Sequence, residues 1–126
     1  ASIVVEDCTK ALTLLAAYLR SHLKNLVVVG ITGSQGKTTT KDMAKSIFSL
    51  AGETVATSSS FNNEIGVPLT ILQANENTQY LILEMGARHL GDIAHLSEIA
   101  KPNIGTVLCV GNAHLEIFGS VEKYCI

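Results

Sequence analysis

The chain has 126 residues, 47% of them apolar and only 16% charged. It is long enough for one domain with a real core, too apolar for disorder, and short for a complete enzyme with several substrates. A net charge of −2, without a run of Lys or Arg, gives no electrostatic footprint for nucleic acid or an anionic membrane surface.

Elements are predicted from the apolar periodicity along the chain. Leu12, Leu15, Ala16, Leu19 and Leu23 form one stripe on an opening helix. Leu26 to Ile31 is nearly all apolar and rich in β-branched residues, as in a strand buried on both faces of a parallel sheet. A glycine-rich turn follows. Thr38 to Leu50 then has helical spacing, with Met43, Ile47 and Leu50 on one face, Ala44 and Phe48 beside them, and Gly52 as its stop. Thr54 to Ala56 reads as a short strand, and Gly66 to Gln73 as a short helix that tolerates Pro68 in its first turn. Gln79 to Met85 is a strand and Gly91 to Ala100 a helix closed by Pro102. Ile104 to Val110 is a further buried strand. Alternating strands and helices with short links imply an α/β fold, three layers around a mostly parallel sheet with right-handed crossovers.

Three cysteines, Cys8, Cys109 and Cys125, stand far apart with no C-x-x-C pair, so neither a zinc nor a redox site is expected. Cys109, inside an apolar run, reads as a buried small hydrophobe. The N-terminus carries no signal-peptide pattern and no apolar run approaches a membrane span. These features make a reduced cytoplasmic protein without membrane insertion the expectation.

The turn between the first strand and its helix is Gly33-Ser34-Gln35-Gly36-Lys37-Thr38, followed by Thr39. Converging backbone N–H groups need sharp turns, which Gly33 and Gly36 permit. The helix behind them turns its N-terminal dipole toward an anion. Lys37 can then neutralise the β- and γ-phosphates of ATP, and the Thr38 hydroxyl can ligate Mg²⁺. The general pattern G-x-x-x-x-G-K-[S/T] would place a glycine at Ile31, so the match is imperfect. Strand, glycine turn, Gly-Lys-Thr and helix in that order still favour nucleotide binding over an ordinary glycine turn.

Ligands in open parallel sheets bind beyond the carboxyl ends of the strands. Glu84 ends an apolar strand there, either facing a metal in the same crevice or capping the Gly86 and Ala87 amides. His114 follows the last strand, either as a hydrogen-bonded structural residue or as a ligand. With Thr38 and Glu84 it would complete a mixed oxygen and nitrogen site, although imidazole is an unusual magnesium ligand. His22, His89 and His95 read as solvated. Asn62, Asn63 and Glu64 lie in the polar loop from Ser58 to Gly66 and can bind substrate, order metal-bound water, or form a turn.

Four segments together resemble the central domain of the Mur ligases. They are Gly30 to Thr40 (GITGSQGKTTT), Phe61 to Pro68 (FNNEIGVP), Leu83 to Ala87 (LEMGA) and Ala113 to Ser120 (AHLEIFGS). The second and third are most similar to the branch that adds D-alanyl-D-alanine to UDP-N-acetylmuramoyl-tripeptide. The resemblance covers nearly the whole chain, and the shortened glycine loop is similar to what these ligases carry. It implies an ATP-dependent amide-bond ligase of peptidoglycan precursor synthesis with three domains, this chain being the ATP-binding one without its UDP-sugar and C-terminal partners. ATP would phosphorylate the tripeptide carboxylate, and the dipeptide amine would displace phosphate from the acyl phosphate. By position, Lys37 and Thr38 match residues that hold phosphates and metal, and Glu84 and His114 match metal-site residues. Asn62, Asn63 and Glu64 match the loop near the γ-phosphate and acceptor.

Two departures accompany the likeness. Cys109 stands where the family usually has Asn. The family's carbamylated lysine is expected just beyond Ile126, Lys123 being too early, so residues 1–126 read as a truncated domain, a monomer with little or no activity alone. The competing readings are a sister Mur ligase, a folylpolyglutamate synthase, or a nucleotide-binding module without ligation chemistry. A P-loop kinase or GTPase is weakened because no Asn/Thr-Lys-x-Asp guanine-reading segment is visible.

Overall fold

A computed structural model describes residues 2–59 and 61–110. Their elements are α1 (Cys8–His22), β1 (Val27–Thr32), α2 (Lys37–Phe48), β2 (Thr54–Ala56), α3 (Gly66–Ile71), β3 (Tyr80–Glu84), α4 (Asp92–Ala100) and β4 (Ile104–Val107). The four strands form one sheet in the order β2-β3-β1-β4, and every pair is parallel. β1 and β3, the most continuous apolar runs, take the two central places, where both faces are covered.

Alternation along the strands divides the core in two. Val28, Leu81 and Leu83 point to one face and meet Ala16 of α1, Val67 and Ile71 of α3, and Leu96 and Ile99 of α4. Val29, Ile31, Ala56 and Ile82 point to the other, where Ala44 and Phe48 of α2 pack on them. The result is the three-layer α/β arrangement expected, with the sheet in the middle. Each fully buried aliphatic side chain contributes about 1.5–3 kcal/mol by leaving water. Arg20 fastens α1 to the end of α4, its Nε donating to the Ala100 carbonyl at 2.9 Å and its Nη2 to the Lys101 carbonyl at 3.1 Å. Burial pulls this guanidinium's pKa below its ordinary value.

Four expectations are corrected. The face of α2 that meets the sheet carries Thr38, Lys41, Ala44 and Phe48, while Met43, Ile47 and Leu50 are 62%, 65% and 90% exposed. Tethers from Thr38 and Lys41 to the strand ends set the rotation of the helix, and they override its more apolar stripe. Leu15 of α1 is likewise exposed, because Ala16, one residue on, fills the contact with α3 and α4. Finally, β4 is not a buried strand through Val110. It stops at Val107, pairs with β1, and leaves Ile104 and Val107 exposed at the sheet edge. Cys109 consequently lies on the surface and not in the core.

Candidate functional site

Beyond Thr32 the backbone turns through Gly33, with φ 137°, and Gly36, with φ 81°, values that side chains with a Cβ rarely adopt. A Cβ on Gly33 would also stand 3.1 Å from the backbone N and O of Cys109. This close approach lets the segment after β4 brace the loop. The Leu108 amide donates to the Thr32 carbonyl and the Ser34 amide to the Cys109 carbonyl, both at 3.0 Å. The Cys109 thiol lies 3.7 Å from the Gln35 carbonyl.

Lys37 opens α2 and folds back over the loop, its Nζ donating to the Gly33 carbonyl at 2.7 Å. The N-cap of α2 is Gly36, which has no side chain to cap the helix, and no acidic residue lies in the first turn. The turn that includes Thr38 and Thr39 therefore presents amide N–H groups and a positive dipole end to whatever occupies the loop. An anion suits that environment.

Glu84 ends β3 opposite Ile31, a register that turns its side chain toward α2. It is 2% exposed. Its Oε2 accepts from Thr38 Oγ1 at 3.0 Å and its Oε1 from Asn62 Nδ2 at 2.8 Å. The Asn62 carbonyl in turn accepts from the Gly86 amide at 2.8 Å. The carboxylate thus does not cap Gly86; Asn62 takes that bond and presents its amide to Glu84. Both carboxylate partners are neutral, and among the described residues no ion pair involves Glu84. A buried carboxylate left with neutral donors calls for a cation nearby.

The structure brings Gly33, Ser34, Gln35, Gly36, Lys37, Thr38, Asn62 and Glu84 to the carboxyl end of β1 and β3. Asn63 instead serves the local turn, its Oδ1 accepting from the Gly66 amide at 2.9 Å and the Ile65 amide at 3.3 Å. Glu64 is exposed beside it. His114 lies outside the described residues. An open depression of about 700 Å³ between Asn25, Glu53, Asn77 and Gln79 lies at the opposite, amino end of the sheet and shares no residue with this cluster.

Two participants escape the sequence reading. Thr57 directly follows β2; its Oγ1 accepts from the Glu84 amide at 3.0 Å. Lys41 is 5% exposed and donates through Nζ to the Thr57 carbonyl at 3.0 Å. The strand-end rule that selected Glu84, applied to β2, points to Thr57. No comparable signal marks Lys41, since a lysine in a helix ordinarily reads as solvated.

The chain is similar to known proteins over nearly all its length. The model of the Mur ligase middle domain matches residues 31–125. The UDP-N-acetylmuramoyl-tripeptide–D-alanyl-D-alanine ligase of Mycobacterium tuberculosis is 53% identical over 119 residues, 94% of this chain and 23% of the relative. Its Escherichia coli counterpart is 40% identical over 119 residues, covering 94% of this chain and 26% of the relative. Among solved structures, MurF from Acinetobacter baumannii matches with a TM-score of 0.93 at 41% identity, over 98% of this chain and 27% of that one. MurF from Thermotoga maritima in complex with ADP matches with a TM-score of 0.87 at 40% identity, over 98% and 29%. The chain spans about a quarter of the length of the relatives it matches.

Proposed function

The chain belongs to the Mur ligase family, with its middle domain, and on that premise we propose that it is the ATP-binding part of a UDP-N-acetylmuramoyl-tripeptide–D-alanyl-D-alanine ligase. The complete ligase would carry a UDP-sugar domain and a C-terminal domain as well and work in the cytoplasm, where nucleotide-activated precursors are made. The observation that supports this best is the buried Glu84 carboxylate, held by Thr38 from the first turn of α2 and by Asn62 from the following loop.

Each residue has a definable task. The first turn of α2, whose N-cap is a glycine, and the Gly33–Gly36 backbone bind the β- and γ-phosphates of ATP. Lys37, already folded over the loop, adds a point charge as the γ-phosphoryl group leaves ADP. Thr38 and Glu84 form an oxygen donor set that suits Mg²⁺, and His114 is proposed to join them. The ion, when bound, offsets phosphate charge. Asn62, through Glu84, and the neighbouring Asn63 and Glu64 place the acceptor loop beside the γ-phosphate.

A carboxylate oxygen of the tripeptide would attack the γ-phosphorus and release ADP, leaving an acyl phosphate. The amine of D-alanyl-D-alanine would add to the acyl carbon, lose a proton and expel phosphate.

The test is an assay of the complete ligase with ATP, Mg²⁺, UDP-N-acetylmuramoyl-tripeptide and D-alanyl-D-alanine. Release of one ADP and one phosphate per amide bond formed, dependent on the dipeptide, is the expected outcome. Turnover with a single amino acid in place of the dipeptide overturns the substrate assignment, and ATP binding without ligation overturns the enzymatic one.

A further inference from the structure

Lys41 is a charged group without an assigned task, and the fold has gone to some expense to bury it. An ammonium taken out of water costs several kcal/mol, and an apolar side chain of similar volume is often as stabilising. Yet Lys41 lies on the sheet-facing side of α2, one helical turn beyond Lys37, and is 5% exposed. Its Nζ contacts the Asp42 carboxylate at 2.8 Å, but that carboxylate is 63% exposed, so the pair contributes little by itself. The inward contact is the more telling one. Nζ donates to the Thr57 carbonyl at 3.0 Å, just past the end of β2.

Thr57 is 2% exposed and is bonded on both sides. Its amide donates to the Ile82 carbonyl at 3.0 Å, and its Oγ1 accepts from the Glu84 amide at 3.0 Å. A continuous chain of contacts therefore runs from the Lys41 ammonium through Thr57 to the backbone of Glu84. Thr38, three residues before Lys41, reaches the Glu84 carboxylate itself. One face of α2 thus grips Glu84 twice, directly at the carboxylate and indirectly at the amide.

We propose that Lys41 is a positioning residue of the nucleotide site: by holding the Thr57 carbonyl it locks the ends of β2 and β3 together and fixes the direction in which Glu84 presents its carboxylate. The inference rests on the assignment of Glu84 to the metal–nucleotide site. Outer contacts of this kind are worth about 10–100-fold in metal affinity.

The experiment uses the complete ligase and its Mg²⁺ dependence. Lys41→Met keeps the length and removes the charge; Thr57→Val keeps the carbonyl that Lys41 holds and removes the hydroxyl that accepts from the Glu84 amide and donates, at 3.5 Å, to the Ile82 carbonyl. Each variant is expected to raise about tenfold both the Mg²⁺ concentration for half-maximal turnover and the dissociation constant of Mn²⁺ from the ADP complex, the latter measured without turnover. The double variant is expected to be no worse than the poorer single one, because both interrupt the same relay. Lys41→Arg, which retains a cationic donor, is expected to recover part of the loss.

A half-activation concentration within twofold of the parent for Thr57→Val overturns the proposal, and that isosteric variant decides the matter even where Lys41→Met fails to fold. Multiplicative losses in the double variant also overturn it. Lys37→Ala serves as the control on the underlying assignment: unchanged turnover there removes the nucleotide site itself, whatever Lys41 does.

Discussion

Lys37→Ala in the complete ligase is expected to lower kcat about 10²–10³-fold while leaving the melting temperature of the unliganded protein nearly unchanged. The asymmetry follows from where the ammonium sits. Without ligand its contact is the Gly33 carbonyl, on a part-exposed loop where water can take over that bond. In the proposed ATP complex the same group would face the phosphates in a site backed by the α2 dipole, where water would be a weaker substitute. Removing one preorganised donor from a developing oxyanion costs about 10²–10³-fold in other enzymes, which sets the magnitude. Lys37→Arg is expected to recover little, because a planar guanidinium does not fit where a compact point charge points back over a tight loop. Steady-state kinetics and thermal melts on the same preparations separate the two effects. A fall in melting temperature matching the loss of turnover would reduce Lys37 to a loop brace.

Glu84→Gln carries the second large effect, about 10³-fold in Mg²⁺-dependent turnover, equivalent to about 4 kcal/mol. The substitution keeps the volume and removes the charge. Its carbonyl can still accept from Asn62, and the Thr38 hydroxyl can rotate to accept from the new amide, so the local bonds survive. Among the described residues Glu84 has no ion pair, and neutralising it without metal relieves a buried charge. The unliganded variant is therefore expected to melt at the same temperature as the parent or higher, and to gain less stability from Mg²⁺ and nucleotide. A merely structural carboxylate predicts the reverse: lower melting temperature with turnover retained. Differential scanning calorimetry with and without Mg·ADP, alongside kinetics, distinguishes these outcomes.

The sequence was most legible where one physical requirement admits few residue types. A tight anion-binding turn needs glycine, and a buried parallel strand needs a continuous apolar run; the loop from Gly33 to Thr38, the strands β1 and β3, and the position of Glu84 followed from these. It was least legible where two faces of one element compete. In α2 the spacing of Met43, Ile47 and Leu50 makes the better apolar stripe, yet the polar pair Thr38 and Lys41 turns Ala44 and Phe48 inward. Polar tethers between distant segments have no periodicity, so pattern reading misses them. The same limit applies at Ile104 to Val110. The apolar composition is that of a strand, but composition does not reveal that it borders β1 at the sheet edge and then bends to brace the phosphate loop. Asn62 and Asn63 illustrate a finer version. Adjacent and chemically identical, one reaches Glu84 and the other serves the turn leading into α3, a division only the backbone path determines.

The proposed placement of ligand rests on these particulars: the phosphates would lie on the Gly33–Thr38 loop and the metal between Thr38 and Glu84. Crystals of the complete ligase grown with a non-hydrolysable ATP analogue and Mn²⁺ in place of Mg²⁺ give the position of the ion through its anomalous scattering. The expected peak is coordinated by Thr38 Oγ1, with Glu84 bound to it directly or through one water and the analogue's phosphates on the loop amides. A manganese peak remote from both side chains, or phosphates that bypass the loop, would contradict this reading of the site.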